Sequence, residues 1–428
     1  MIRILRAGQT APSEIFDRSY DVRDISGAVA EIIRRVREEG DEALLSFTEE
    51  FDGVRPESLE VPAEKIREAL AALDPAFKAV LEEAAENIRA FHRLQLSSGF
   101  ISTSADGTVA GQRVIPLDRV GVYIPGGTAA YHSTVLMDVI PAKIAGCGEV
   151  VMVSPPTCGG DIHPVILAAA AVAGVDRVFR CGGAQAVAAL AWGTESVPRV
   201  DKIVGPGNAF VAEAKRQVFG QVGIDTIAGP SEILVIADGA SDPRHIAADM
   251  LSQAEHDKLA SAVRVTDSEA LAKAAAAELE RQLSVLPREE IARASIENNG
   301  KIIITENLDQ AVEIANEIAP EHLELCVDEP FALLGKVTSA GSIFMGRNCP
   351  EAVGDYFAGL NHTLPTGGAP RFDSPLGVDD FVKKSQFVYY GREALERDAE
   401  KIALFARREG LEAHARSVLS RFEKEPRR

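Results

Sequence analysis

From Asp21 to Gln95 apolar residues recur at helical intervals, Val29, Ile32, Ile33 and Val36, then Leu44 and Leu45, with charged side chains between them. That spacing predicts amphipathic helices packed on another body. At Arg119 the pattern changes to short β-branched runs that end in glycine and lead into helical stretches, as expected of a parallel sheet with crossover helices. The predicted strands are Val120–Ile124, Glu149–Val153, Arg177–Cys181, Lys202–Val204 and Val222–Asp225. A second series of strands follows at Glu232–Ala237, Ala262–Thr266, Lys301–Thr305, Leu323–Val327 and Ser342–Met345. One helix of this series is marked at both ends. Asn307 is its N-cap with Gln310 three residues on, Leu308, Ala311, Val312, Ala315 and Ile318 form its buried face, and Pro320 stops it. From about Asp379 the chain is charged and helical, and such a segment buries little unless it packs on its own body or on a partner subunit.

At 428 residues the chain exceeds what one hydrophobic core organises. The predicted fold class is therefore α/β, with two Rossmann-like parallel-sheet domains, a helical N-terminal region and a small C-terminal helical appendage. The expected boundaries are an arm over 1–20, one α/β domain from 21–100 and 230–378, another over 101–229, and the appendage over 379–428. A net charge of −19 with no basic block excludes a surface built for nucleic acid or an anionic membrane and favours a small-molecule substrate. Cys147, Cys158, Cys181, Cys326 and Cys349 are scattered and odd in number, which argues against a disulfide framework or a thiolate metal site and for a reducing cytoplasm. The N-terminus is too weakly apolar for a signal peptide, and Pro164 to Val175 is too short to span a bilayer, so a soluble chain is expected.

Three predicted strands of the first series run into glycine turns: Ile124-Pro125-Gly126-Gly127, Cys181-Gly182-Gly183-Ala184-Gln185 and Val204-Gly205-Pro206-Gly207-Asn208. All three fall at carboxyl ends of parallel strands, where open α/β sheets bind ligands and backbone N–H groups can approach a nucleotide. Tyr123, Gln185 and Asn208 lie beside them. The alternative is that these are strand-to-helix turns needing glycine for positive φ.

Four other stretches concentrate catalytic residue types: Ser252-Gln253-Ala254-Glu255-His256, Pro320-Glu321-His322-Leu323-Glu324, Gly354-Asp355-Tyr356 with Asn361-His362, and Glu409-Gly410-Leu411-Glu412-Ala413-His414. They hold four of the eight histidines. If 242–256 is a helix, Gln253 and His256 share a face, and with Asp355 and His414 they form a mixed N/O donor set suited to Zn2+ or Mn2+. Glu321 and His322, between a helix-ending proline and an apolar strand, are a candidate acid/base pair. Each histidine alone also reads as an ordinary surface or core residue, and the Glu-His pair as a cap or surface ion pair. Cys181 and Cys326 read as core.

In this order, and together with Tyr-Ile-Pro-Gly-Gly, Gly-Gly-Ala-Gln-Ala and Gly-Pro-Gly-Asn, these stretches resemble the histidinol dehydrogenase family over nearly the whole chain. The resemblance implies metal ligands at Gln253, His256, Asp355 and His414, and acid/base residues at Glu321 and His322. It implies substrate contacts at Ser231, Gln253, His256, His322, Asp355, His362, Glu409 and His414, and NAD contacts at Tyr123, Gln185 and Asn208. It also makes 101–229 the NAD-binding domain, makes 21–100 with 230–378 the metal and substrate domain, and implies a homodimer whose C-terminal Glu and His enter the partner subunit's site. The implied reaction is a four-electron oxidation of L-histidinol to L-histidine through the aldehyde with two NAD+. The segments 347–350 and 367–377 depart from the commoner family wording, at no matched site residue. Three rivals stay open: a relative acting on another small alcohol, a metal hydrolase without NAD, and a non-enzymatic nucleotide-binding or assembly protein.

Overall fold

The computed structural model describes residues 2–17, 24–126, 130–157 and 159–423. Gly127 of the first glycine turn, Cys158 and Asp21 lie outside them. Along the chain the strands are β1 (Arg3–Arg6), β2 (Phe100–Thr103), β3 (Val109–Pro116), β4 (Arg119–Tyr123), β5 (Glu149–Ser154), β6 (Arg177–Arg180) and β7 (Lys202–Val204). They continue as β8 (Gly223–Ile224), β9 (Glu232–Ala237), β10 (Ser261–Thr266), β11 (Lys301–Ile304), β12 (His322–Cys326), β13 (Ser342–Met345) and β14 (Val382–Tyr389). From β4 to β13 each strand lies within a residue of its predicted bounds.

Those ten strands, together with β1, make two parallel sheets. The first has the order β6-β5-β4-β7-β8, and the second β1-β11-β10-β9-β12-β13. The expected N-terminal arm thus supplies an edge strand, with Arg3 to Arg6 paired in parallel to Lys301 to Ile304. Helices cover both faces of the second sheet, so its central strands are near-continuous apolar runs. Glu232, His322 and Glu324 are polar exceptions, buried in β9 and β12.

The N-terminal helices Ser26–Glu39 and Asp41–Asp52 bury Val29, Ile32, Ile33, Val36 and Leu44 as predicted, with Leu45 only partly buried and Ala43 and Phe47 added, but in one core with Val151, Val153 and Phe179 of the first sheet. The Pro75–Arg93 helix packs on the His132–Ala145 helix of the same sheet. Joining 21–100 to 230–378 therefore does not follow the packing. Helical periodicity sets which face is buried, whereas the partner is chosen by shape complementarity between distant segments. The Leu308–Ile318 helix starts as expected, with Asn307 Oδ1 accepting the Gln310 N–H at 2.9 Å, while the Gln310 side chain turns back to the N–H of Glu306. It ends on Ala319 at φ 49°.

Residues 2–96 and 117–381 form one compact unit, and 97–116 with 382–423 another. In the second unit β3 pairs antiparallel with both β2 and β14, and the Arg392–Arg408 and Glu412–Leu419 helices pack through Ala403, Ala406 and Ala415. The appendage is therefore not purely helical, and it includes a hairpin expected in the first α/β domain. These strands carry little apolar alternation and stay largely exposed, so period-two patterning gave no signal.

Asp138, in the His132–Ala145 helix, is fully buried and accepts a 2.6 Å bond from the Thr363 hydroxyl. Burial pushes its carboxyl up to about 8. Because the folded state holds this proton more tightly than the unfolded chain, the associated stability is complete below the ordinary carboxylate range and is lost as pH rises towards about 8. Asp138→Asn should therefore gain stability relative to the parent as pH rises from 5 to about 8 in thermal melts; a constant difference across that range would refute the buried neutral acid.

Candidate functional site

β9 and β12 are neighbours in the second sheet, and the first residue of β9 organises the polar end of both. The Glu321 carboxylate accepts the Glu232 backbone N–H at 2.8 Å. The ring of His322, only 4% exposed, donates from Nδ1 to the Glu232 carbonyl at 3.0 Å. A carbonyl only accepts, so Nδ1 carries a hydrogen towards Glu232 and Nε2 is the ring position where a proton is gained or lost. Nε2 is buried without a hydrogen-bond partner and lies 3.7 Å from Asp355 Oδ1. Burial by itself would lower the proton affinity of His322, but Glu321 at 3.5 Å and Asp355 outweigh it and hold the ring well above the ordinary histidine range. Phe344 stacks on the ring at 5.9 Å between centroids.

Gln253 is in the last turn of the Pro243–Ala254 helix, which Asp242 caps through the Arg244 N–H. Its amide nitrogen lies 3.2 Å from His322 Nδ1, and its Oε1 is buried with no hydrogen-bond partner. The helix stops at Ala254, so the expected helical face shared by Gln253 and His256 is replaced by a closing turn in which the His256 N–H donates to the Gln253 carbonyl at 3.1 Å. The exposed His256 faces Ser231, with Nδ1 and Oγ 3.4 Å apart.

Asp355 comes from the short Glu351–Tyr356 helix. Burial opposes its ionisation, but bonding to His322, the charge of His362 and bonding to Glu351 keep its carboxyl below the ordinary range. His362 Nδ1 lies 3.1 Å from the Asp355 carbonyl and its Nε2 3.2 Å from the Thr134 hydroxyl. Glu351, which the sequence reading passed over, is buried, and burial and Asp355 push its carboxyl up to about 8. Donor atoms of His322, Glu351 and Asp355 lie within 4.8 Å of one another, spacing compatible with a cation. A second group, Asp249, Glu324 and Cys326, packs behind it, with the Glu351 N–H bonded to Glu324 at 2.7 Å. Helical spacing from Asp355 would have found Glu351; nothing local signals Thr134. Glu409 and His414 belong to the other compact unit, Glu409 capping the Arg392–Arg408 helix and His414 exposed on the Glu412–Leu419 helix beyond Gly410.

The described parts of the three glycine turns follow β4, β6 and β7 at the carboxyl end of the first sheet. Tyr123 is buried and its hydroxyl accepts the Gly183 N–H at 3.0 Å, so that amide is already bonded. Gln185 is buried with Oε1 lacking a partner. Asn208 is exposed and its Oδ1 accepts the N–H groups of Phe210 and Val211, capping the Ala209–Val218 helix. Gly205 is needed as glycine: its φ is 113°, and a Cβ there would sit 2.2 Å from the Tyr123 carbonyl oxygen. The unusual segment at Arg347 ties Asp238, Asp328 and the Cys326 carbonyl together. Asp238 and Cys326 mark the carboxyl ends of β9 and β12, opposite the end holding His322.

The histidinol dehydrogenase family model matches residues 17–422. The chain belongs to the histidinol dehydrogenase family. It is 55% identical over 417 residues to the histidinol dehydrogenase of Syntrophotalea carbinolica, covering 97% of this chain and 94% of that one. It is 55% identical over 397 residues to that of Geobacillus kaustophilus, covering 93% and 94%. The crystal structure of the Elizabethkingia anophelis histidinol dehydrogenase matches with a TM-score of 0.93 at 34% identity, covering 98% of both chains. The two-sheet α/β architecture is thus the family fold.

Gly205→Ala should lower stability by about 2 kcal/mol or more through positive-φ strain and collision with β4. Denaturant unfolding measures this, and a variant as stable as the parent would show that the approach tolerates a side chain.

Proposed function

We propose that this histidinol dehydrogenase family member oxidises L-histidinol to L-histidine through the aldehyde, in two successive hydride transfers to NAD+. The observation that carries the reading is the buried Glu321 and His322 pair, held on one backbone group beside two buried donor atoms, Gln253 Oε1 and His322 Nε2, that have no hydrogen-bond partner. Unsatisfied buried polar atoms are costly, and a bound group that meets them removes that cost.

Gln253, His256, Asp355 and the partner-contributed His414 form the proposed ligand set, and their N/O character fits Zn2+ or Mn2+. The orphaned Gln185 Oε1, with Tyr123 and Asn208, fits a nucleotide in the glycine-turn crevice. When bound, the cation supplies Lewis-acid and template chemistry, and NAD+ supplies a hydride acceptor for each step. In its neutral form His322 takes the hydroxyl proton at Nε2, the nitrogen that the Glu232 carbonyl does not engage, and Glu321 and Asp355 stabilise the resulting imidazolium. Glu321, oriented by the Glu232 N–H, then draws a proton from the water that attacks the aldehyde. Ser231, His362 and the partner-contributed Glu409 position the substrate.

A homodimer with shared sites is part of this reading. The second unit leaves Phe100, Ile101, Val388, Tyr389, Leu404 and Phe405 exposed, apolar surface that a second copy would cover. Among the described residues no helix is long and apolar enough to cross a membrane, and Cys147, Cys181, Cys326 and Cys349 are free thiols, which supports a cytoplasmic reaction.

A metal-supplemented assay should yield two NADH per histidinol, and chelation should abolish turnover; a stoichiometry of one, or full activity in chelator, would count against the proposal. His322→Asn should slow hydride transfer with metal content unchanged, and loss of the metal would overturn the role given to that ring. Mixing Glu321→Gln with His414→Asn subunits should regain activity that neither has alone, because one site of each mixed dimer is intact. No recovery in verified mixed dimers would refute sharing.

A further inference from the structure

The loop after β7 is gripped by a buried ion pair that the proposed chemistry does not use. Lys215, in the Ala209–Val218 helix, is 2% exposed, and the side chain of Asp225, just beyond β8, is 4% exposed. Lys215 Nζ donates to Asp225 Oδ1 at 2.5 Å and to the Gly205 carbonyl at 2.5 Å. Asp225 Oδ2 accepts the Gly205 N–H at 2.7 Å. Both polar backbone groups of one glycine are thus tied to the same pair of charges.

A buried ion pair is a poor stabiliser, because desolvating both charges offsets much of their attraction, and an apolar replacement is often neutral. The effect specific to this pair is geometric. Gly205 passes so close to β4 that no Cβ fits, and three residues later the loop delivers Asn208 to the N-terminus of the helix that carries Lys215. Helix, loop and β8 are therefore fixed to one another through a single peptide. At its burial Lys215 cannot meet a phosphate itself, so it acts through the loop.

We infer that Lys215 and Asp225 are positioning residues for the dinucleotide, holding the Gly205 to Asn208 edge in its binding conformation. The inference rests on the reading of this crevice as the NAD site. The test is the neutral double variant Lys215→Met with Asp225→Asn, which leaves no unpaired buried charge, compared with Asp225→Asn alone and with Asn208→Ala as a control on the crevice. NAD+ affinity is measured by calorimetry without histidinol, beside KM for both substrates, kcat and Tm.

The double variant should keep a Tm close to the parent's yet bind NAD+ about tenfold more weakly, with KM for histidinol and kcat at saturating NAD+ nearly unchanged. Parent-like NAD+ affinity at parent-like Tm would overturn the inference and leave the pair a structural feature only. Should the double variant fail to fold, Asp225→Asn alone reads the same affinity, since its amide cannot accept from both Gly205 N–H and Lys215; unchanged affinity there also overturns the inference. Asn208→Ala separates the two levels. If it weakens NAD+ binding while the clamp variants do not, only the clamp fails; if it too leaves binding unchanged, the assignment of the crevice fails.

Discussion

Both proposed acid/base side chains hang on one peptide group. The N–H of Glu232 holds the Glu321 carboxylate, and its carbonyl holds the His322 ring. Neighbouring residues of a regular strand point to opposite faces, so two consecutive side chains meet at one place only if the strand begins between them. Here β12 begins at His322, and Glu321 precedes it, after a helix end that turns on Ala319 at positive φ. The sheet register, which sets β12 beside β9, is therefore also what places the Glu232 carbonyl against Nδ1 of the histidine.

The polar character of this sheet end is concentrated and mutually dependent. Asp355 is ionised because His322 and His362 face it, while Glu351 is pushed towards its neutral form by burial and by Asp355. Carboxyls crowded in this way settle by dividing roles, one charged and one protonated. The segment that carries His362 is also fastened to the first sheet's covering helix: Asn361 donates to the Met137 carbonyl at 2.7 Å, and Thr363 donates to Asp138 at 2.6 Å. The two sheets of the larger unit thus meet through directional bonds at this segment, which constrains orientation more sharply than apolar packing does.

Much of this was legible in the chain as written. The ten parallel strands announced themselves because a strand buried on both faces must be a short apolar run bounded by turns, and Asn307 and Asp242 marked helix starts through their capping oxygens. The short motifs around Gln253, Glu321, Asp355 and the glycine turns were equally visible, as clusters of residue types with acid/base, ligand or turn chemistry.

The sequence by itself determined the buried parallel strands β4 to β13, the buried faces of the helices Ser26–Glu39 and Leu308–Ile318, and which residues have the chemistry to act, because these are local properties of side chains and spacing; the less buried strands β1, β2, β3 and β14 lacked that signal. Tertiary structure alone decided that the N-terminal helices cover the first sheet, that 97–116 joins 382–423, and that Lys215 and Asp225 meet across Gly205. Each of these is a choice among partners far apart in the chain, made by packing and desolvation that no local pattern encodes.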